Sequence, residues 1–95
     1  MLIENEFEWD ENKAANNLSK HDVSFEEAVS IFSDFGLITR DDESHSDIEP
    51  REIAIGYSFR LRLLTVVFTM RLGQTRIISA RLSTIRERKD YESGT

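Results

Sequence analysis

Apolar residues recur with helical spacing in two segments of the first third of the chain. The first segment, residues 11–21, has a narrow apolar stripe, and Asp10 precedes it as a candidate N-cap. The second segment, residues 25–32, gives the clearest helical signal, because four apolar side chains fall at positions i, i+3, i+4 and i+7. These four are Phe25, Ala28, Val29 and Phe32. The pattern therefore predicts two short helices ahead of any long strand.

The junction between these two helices carries signals for a helix end and for a helix start. Asp22 stands where a helix often ends in the left-handed conformation, which aspartate tolerates better than most residues. Ser24 with Glu27 three residues later fits a capping box. Lys20 and His21 then occupy the last turn of the first helix, where the macrodipole favours positive charge. That structural explanation is sufficient, and a functional role for this pair stays open beside it.

Strand-like alternation indicates an edge strand within the first nine residues and the start of another strand at residues 37–40. An acidic loop over 41–50 ends at the only proline, and three further strands are predicted over 51–58, 61–70 and 74–81. A closing helix follows, capped by Ser83 or Thr84. We therefore predict a single α+β domain over residues 1–95, with two N-terminal helices, an antiparallel meander and a C-terminal helix.

The last predicted strand carries two arginines. The face of the strand on which each arginine lies decides whether it can reach a binding cleft. Strict alternation places Ser79 and Arg81 on one face and Arg76 and Ile78 on the other, with Ile78 assigned to the core. Which arginine reaches a cleft is left open by this pattern. Arg81 is favoured because it ends the strand where a helix begins, and such junctions often hold functional side chains.

Composition and charge narrow the function classes. The chain has no cysteine, which excludes disulfides and thiolate metal sites and fits the reducing cytoplasm. The first residues are too charged for a signal peptide, and no apolar run approaches a membrane span. The net charge of −6 is divided, with three basic and fourteen acidic side chains in residues 1–50 and nine basic and four acidic ones in residues 51–95. Such a division favours a basic face for one partner and an acidic face for another.

Two further expectations concern single residues. A metal site of His45 with Asp41, Asp42 and Asp47 is rejected, because a lone histidine in a charged loop is usually solvated. Trp9 and the phenylalanines are assigned to the core.

Four stretches together resemble the BrnT-like toxins of bacterial type II toxin–antitoxin systems, in the family's order and spacing. They are FEWDENKAANNLSKHDVSFEEA, EPREIAIG, LLTVVFT and RIISARLSTIRERKDYE. The resemblance implies a RelE-like fold, RNA cleavage that inhibits translation, and neutralisation by a cognate antitoxin. We also expect contact with DNA only through the antitoxin complex and no cofactor. No metal is expected, because the chain has no cysteine and no convincing set of histidine and carboxylate ligands. The sequence departs from the family at Asp22, where glycine is frequent, and at Leu82 and Ile85, where basic residues are frequent.

The same resemblance supplies the candidate site. The catalytic candidates are Lys20, His21, Arg81, Arg86 and Glu87. The RNA-binding candidates are Arg51, Arg76, Arg88 and Tyr91, and Ser79 is a further matching position. These residue types suit metal-independent RNA cleavage, since histidine transfers protons near neutral pH and the planar fork of arginine binds two phosphate oxygens.

Alternatives stay open for several candidates. Arg86 and Glu87 are explained equally well as surface charges, and Glu87 either orients an arginine or acts as a base. Tyr91 either packs its helix on the sheet or touches RNA. We expect His21 at the rim of a cleft whose other wall holds Arg81 and the start of the last helix. We also expect an acidic antitoxin segment to cover the basic residues of 71–89.

Two other functions compete with that of a ribonuclease. One is a toxin-fold binding module that engages an antitoxin without cleaving RNA. The other is transcriptional regulation through the basic last helix, for which recognition-helix chemistry is not evident.

Overall fold

A five-stranded mixed sheet organises residues 6–42 and 49–94, the part of the chain that the computed structural model describes. The strands are β1 (Phe7–Glu8), β2 (Ile38–Asp41), β3 (Glu52–Tyr57), β4 (Leu63–Arg71) and β5 (Gln74–Leu82), in the spatial order β1-β5-β4-β3-β2. Strands β2 to β5 form the antiparallel meander that the sequence predicts. β1 instead pairs in parallel with β5, so the sheet is mixed. The α+β class is confirmed.

Three α-helices accompany the sheet. They are α1 (Glu11–His21), α2 (Phe25–Ser30) and α3 (Ile85–Ser93). α2 ends two residues before the predicted Phe32, because the chain tightens there into a 3-10 turn over Ile31–Ser33. Among the described residues, none of the helices has the length and apolar character needed to cross a membrane.

Local capping chemistry fixes the helix ends. Asp10 caps α1 by accepting from two backbone amides, and Asp22 ends it at φ 59°, in the left-handed region. Thr84 and Glu87 form a complete capping box at α3. At α2 only half of the predicted box is present, since Ser24 accepts from the amide of Glu27 while the Glu27 carboxylate turns elsewhere. The carboxylate binds Ser58 and Arg62 instead, which gives it stronger donors than one backbone amide.

The core lies on one face of the sheet, which we call the inner face. Ala54, Val66 and Ala80 are fully buried there, and Phe25 of α2 packs into the same cluster. Trp9 packs edge-on against Phe25, with ring centroids 5.9 Å apart. α3 packs on β3 at the opposite face, which we call the outer face.

Two phenylalanines contradict the prediction that all of them are core. Phe35 and Phe59 are exposed by 107% and 66%, respectively. Both lie in tight turns outside the sheet, where Asp34 and Ser30 side chains hold the turn backbones and no helix passes over the rings.

A β-bulge in β5 overturns the predicted alternation of that strand. Val67 of β4 pairs with Ser79, and the next residue, Phe68, pairs with Ile77, which leaves Ile78 without a partner. Ile77 is buried in the core, and Ile78 is only partly buried. The assignment of Ile78 to the core was therefore wrong. The extra residue makes Ile77 the inward-facing isoleucine, while Ala80 faces the core in either case.

The bulge also brings the two arginines of β5 to one face. Arg81 pairs with Thr65 and Arg76 pairs with Thr69, and both threonines belong to the outer-face positions of β4. Ser79 lies between the arginines on that face. Without the bulge, Arg76 would point to the inner face, opposite to Arg81.

Asn17 joins α1 to the edge of β5 that lies on the β1 side of the strand. Its Nδ2 donates to the carbonyl oxygens of Ala80 at 2.8 Å and Val23 at 2.9 Å, and its Oδ1 accepts from the Ala80 amide at 3.1 Å. The side-chain amide thus takes the place of a neighbouring strand at Ala80, further along β5 than Thr75 and Arg76, which pair with β1. This contact closes an edge that would otherwise expose unpaired backbone groups.

Replacing Asn17 with alanine is expected to lower the free energy of unfolding by about 2–4 kcal/mol. The reason is that three buried backbone groups lose their partner. The melting temperature should fall by about 10–25 °C, measured by circular dichroism. The matched control is Asn16→Ala, at an exposed position of the same helix, which should stay within about 0.5 kcal/mol of the parent. Equal stability of the two variants would contradict the role of Asn17.

Candidate functional site

Arg81 and Glu87 form the strongest polar contact of the outer face. The two terminal guanidinium nitrogens of Arg81, Nη1 and Nη2, donate to the two carboxylate oxygens of Glu87, each at 2.8 Å. Glu87 accepts further bonds from the Thr65 hydroxyl at 2.9 Å and from the Thr84 amide at 2.8 Å. The sequence places these residues together because β5 ends at Leu82 and the α3 cap follows two residues later.

The environment of Glu87 keeps it ionised. Burial alone raises the pKa of this carboxyl, but hydrogen bonds from Arg81, Thr84 and Thr65 outweigh it and lower the pKa to about 2. The same contact raises the pKa of Arg81. A carboxylate with so low a pKa has little affinity for a proton at neutral pH. Of its two predicted roles, orienting Arg81 fits this geometry better than acting as a base.

Lys20 and His21 line a separate, shallow pocket between α1 and β5. It has a volume of about 200 Å³, and its walls also carry Lys13, Asn16, Asn17, Ile78 and Ser79. His21 is partly buried and Lys20 is exposed. We expected Arg81 and the start of α3 to form the wall of the cleft opposite His21. Ile78 and Ser79 form that wall instead. Ile78, the extra residue of the bulge, is thus one of the residues that line this pocket.

Ser79 is the residue that connects the two groups. It lines the pocket of Lys20 and His21, and it lies on the outer face two residues before Arg81. In an extended strand two residues span about 7 Å. An extended phosphodiester chain crossing β5 at Ser79 would therefore have cations on both sides.

Arg76 lies at the other end of β5. It forms an ion pair with Glu8 of β1 at 3.4 Å. It also lines a pocket of about 410 Å³ with Glu8, Arg71, Leu72 and Gln74. Arg76 and Arg81 thus share the outer face, while the Glu8 contact offsets part of the positive charge of Arg76.

The remaining candidates lie on α3 or at the start of β3. Arg88 donates to the Tyr57 hydroxyl at 3.0 Å, and Arg86 is exposed. Tyr91 donates to the Asp34 carboxylate at 2.7 Å, and that bond raises the pKa of Tyr91 to about 12. The Tyr91 ring also stacks edge-on against Tyr57, which fits the packing role predicted as its alternative. Arg51 directly precedes β3 and is partly buried.

Sequence reasoning missed an ion pair, between Arg62 and Glu27, that supports the end of α1. Arg62 donates to the Glu27 carboxylate at 3.0 Å and to the carbonyl oxygen of Asp22, directly after His21, at 2.8 Å. Burial raises the pKa of Glu27, but the bonds from Arg62 and Ser58 outweigh it and lower that pKa. Because Arg62 lies 35 residues from Glu27, no local pattern could have revealed the pair.

The described residues contain no group of three or more histidine, aspartate or glutamate side chains that could hold a metal ion. Residues 43–48, with His45 and Asp47, lie outside the described part of the chain.

Comparison with known proteins gives a matching family model and similar solved structures. A family model described as the ribonuclease toxin BrnT of type II toxin–antitoxin systems matches residues 9–87. The chain is also similar to the crystal structure of the Brucella abortus ribonuclease toxin BrnT, with a TM-score of 0.58 and 25% identity. That similarity covers 80% of this chain and 92% of the Brucella chain. No curated protein matches the sequence.

Replacing Glu87 with glutamine is expected to remove an acid-sensitive part of the stability. The folded-state pKa of Glu87 lies near 2, below its ordinary value of 4.5, so its contribution is present above about pH 4.5 and is lost as the pH falls toward 2. At pH 7 the variant should be less stable by about 1–3 kcal/mol.

Urea denaturation between pH 7 and pH 2.5 measures this difference. The gap between the parent and Glu87→Gln should narrow as the pH falls through that window. Glu92→Gln, at an exposed position of the same helix, is the control and should follow the parent throughout. A gap that is constant with pH would rule out the ionised Glu87 as its cause.

Proposed function

Because the chain belongs to the family of BrnT ribonuclease toxins of type II toxin–antitoxin systems, we propose that it is a RelE-like endoribonuclease. Its cleavage of RNA inhibits translation, and a cognate antitoxin neutralises it. It acts in the cytoplasm as a single domain over residues 1–95, and it meets DNA only through the antitoxin complex.

The observation that carries this proposal is the arrangement of cations on both sides of Ser79. Lys20 and His21 stand on the α1 side, and Arg81 and Arg76 stand on the outer face. An RNA backbone lying across β5 would meet positive charge along its path, which is the main source of affinity for nucleic acid.

In the proposed reaction the 2′-oxygen of a ribose attacks the adjacent phosphorus. The bond to the 5′-oxygen of the next nucleotide breaks, which leaves a 2′,3′-cyclic phosphate and a 5′-hydroxyl end. His21 takes part in the proton transfers, because an imidazole can both donate and accept a proton. Lys20 and Arg81 stabilise the charge on the phosphate, and Glu87 holds the Arg81 guanidinium in a fixed orientation.

The other candidates act around this centre. Arg86 is exposed at the start of α3 and adds positive charge beside Arg81. Arg51, Arg76 and Arg88 bind the RNA chain on either side of the scissile phosphate, and Tyr91 acts indirectly by holding α3 to the Asp34 turn.

A second candidate function is a binding module that engages the antitoxin without cleaving RNA. The close pairing of Arg81 with Glu87 favours it, because a phosphate would have to share or displace an existing partner. Growth arrest on expression without the antitoxin, with RNA cleavage by the purified chain, distinguishes the ribonuclease from the binding module.

Cleavage is expected to need no divalent metal, because proton transfer and charge stabilisation are both assigned to protein side chains. The purified chain should cleave RNA at an unchanged rate in excess EDTA, followed on denaturing gels. Loss of cleavage in EDTA that magnesium or zinc restores would contradict this expectation.

Replacing His21 with glutamine keeps the approximate size and the hydrogen bonding of the side chain but removes the imidazole assigned to proton transfer. Cleavage by the variant should fall by about 10²–10⁴-fold, the usual contribution of general acid–base catalysis. His45→Gln, which changes the only other histidine, is the control and should cleave like the parent. The stability of His21→Gln should stay within about 0.5 kcal/mol of the parent. A normally folded His21→Gln chain with full activity would show that His21 is an ordinary helix-end residue.

A further inference from the structure

An apolar pocket lies between β1 and α2, and none of the candidate site residues lines it. It has a volume of about 240 Å³ and is lined by Phe7, Trp9, Val29 and Glu26. We call it the Trp9 pocket. Its aromatic walls are held from behind by the core, since Phe7 packs on Phe32 at 5.2 Å between ring centroids and Trp9 packs on Phe25 at 5.9 Å. The pocket is therefore preformed, and an occupant would not have to order its walls.

The charges near the Trp9 pocket are acidic. Glu26 lines the pocket. Glu6 directly precedes β1, Glu11 begins α1, and both are exposed. Glu26 makes no hydrogen bond or ion pair within residues 6–42 and 49–94, so its charge is available to a partner.

The basic side chains of the same region stand elsewhere. Within residues 6–33 they are Lys13, Lys20 and His21, and all three line the pocket against β5. The Trp9 pocket thus carries an acidic side chain, whereas the pocket of Lys20 and His21 carries basic ones. A phosphate chain would be repelled from the Trp9 pocket and attracted to the other one.

We propose that the Trp9 pocket docks a peptide segment of the cognate antitoxin in which an apolar side chain stands beside a lysine or arginine. The inference rests on the proposed function, which requires an antitoxin that contacts DNA. Such a protein carries basic segments. The apolar side chain fills the space between Phe7, Trp9 and Val29, and the cation pairs with Glu26. Burying an apolar anchor beside a complementary charge is a common source of affinity and orientation.

This surface suits the antitoxin better than the basic face alone. Three arginines expected to receive an acidic antitoxin segment already have partners within the chain: Arg76 binds Glu8, Arg81 binds Glu87, and Arg88 binds Tyr57. An acidic segment would have to compete for them, whereas Glu26 has no such competitor among residues 6–42 and 49–94. Docking in the Trp9 pocket leaves the RNA site itself open, so a different part of the antitoxin has to cover that site.

Glu26→Lys and Val29→Arg test the proposal, with the purified cognate antitoxin as the probe. Calorimetry should show antitoxin binding weakened by about tenfold to a hundredfold for each variant, with a smaller salt dependence for Glu26→Lys. Glu92→Lys, a charge reversal on exposed α3, is the control and should bind like the parent. Thermal melts check the fold, and Val29→Thr is the milder variant should Val29→Arg unfold.

Two readouts keep this inference separate from the proposed function. RNA cleavage by the free variants should match that of the parent, because neither residue belongs to the proposed RNA site. Parental affinity of folded Glu26→Lys and of a folded Val29 variant would overturn the docking site while leaving the ribonuclease proposal intact. A parent that is dimeric alone and becomes monomeric in these variants would also overturn it, since a second copy of the chain would then be the occupant.

Discussion

The side-chain amide of Asn17 sets the position of α1 against the sheet. By pairing with both backbone groups of Ala80, it continues the edge of β5 after the two residues of β1 have ended. Its third bond, to Val23, ties the start of α2 to the same point. The pocket of Lys20 and His21, and their distance from the outer face, follow from this one buried polar contact. Such a contact is specific because each donor and acceptor has one suitable partner.

The sequence predicts elements of this fold better than it predicts their faces. The span of α1, its aspartate caps and the antiparallel meander follow from local chemistry and period, so they were recognisable. The bulge at Ile78 was not, because the alternation in RIISAR was read as unbroken although Ile77 and Ile78 are both apolar, and the extra residue is specified by pairing with β4. One unpaired residue exchanged the faces of Arg76 and Ile77 relative to the predicted alternation. The parallel pairing of β1 was missed for the same reason, since it depends on residues far along the chain.

The candidate site shows the same division. Residue types and spacing indicate a histidine, a lysine and several arginines, but they do not say that Arg81 is held by Glu87. Two of the contacts behind these residues come from Thr65 of β4 and from Arg62 in the turn before β4, where no local pattern signals a polar role. Their contacts arise only when the sheet brings β4 beside β5 and the turn before β4 beside α1.

The multiple duties of Glu87 have a consequence for how such a protein changes under selection. Its carboxylate completes the cap of α3, binds Thr65 and holds Arg81, so a substitution of Arg81 leaves a buried charge short of its main partner. Under the proposed function, lineages that silence the protein through Arg81 therefore also lose folded chain to proteolysis. Lineages that silence it through Lys20, which is exposed, keep a stable protein that still reaches its partners. Inactive descendants that persist as folded proteins should accordingly carry their changes on α1 more often than at the junction of β5 and α3.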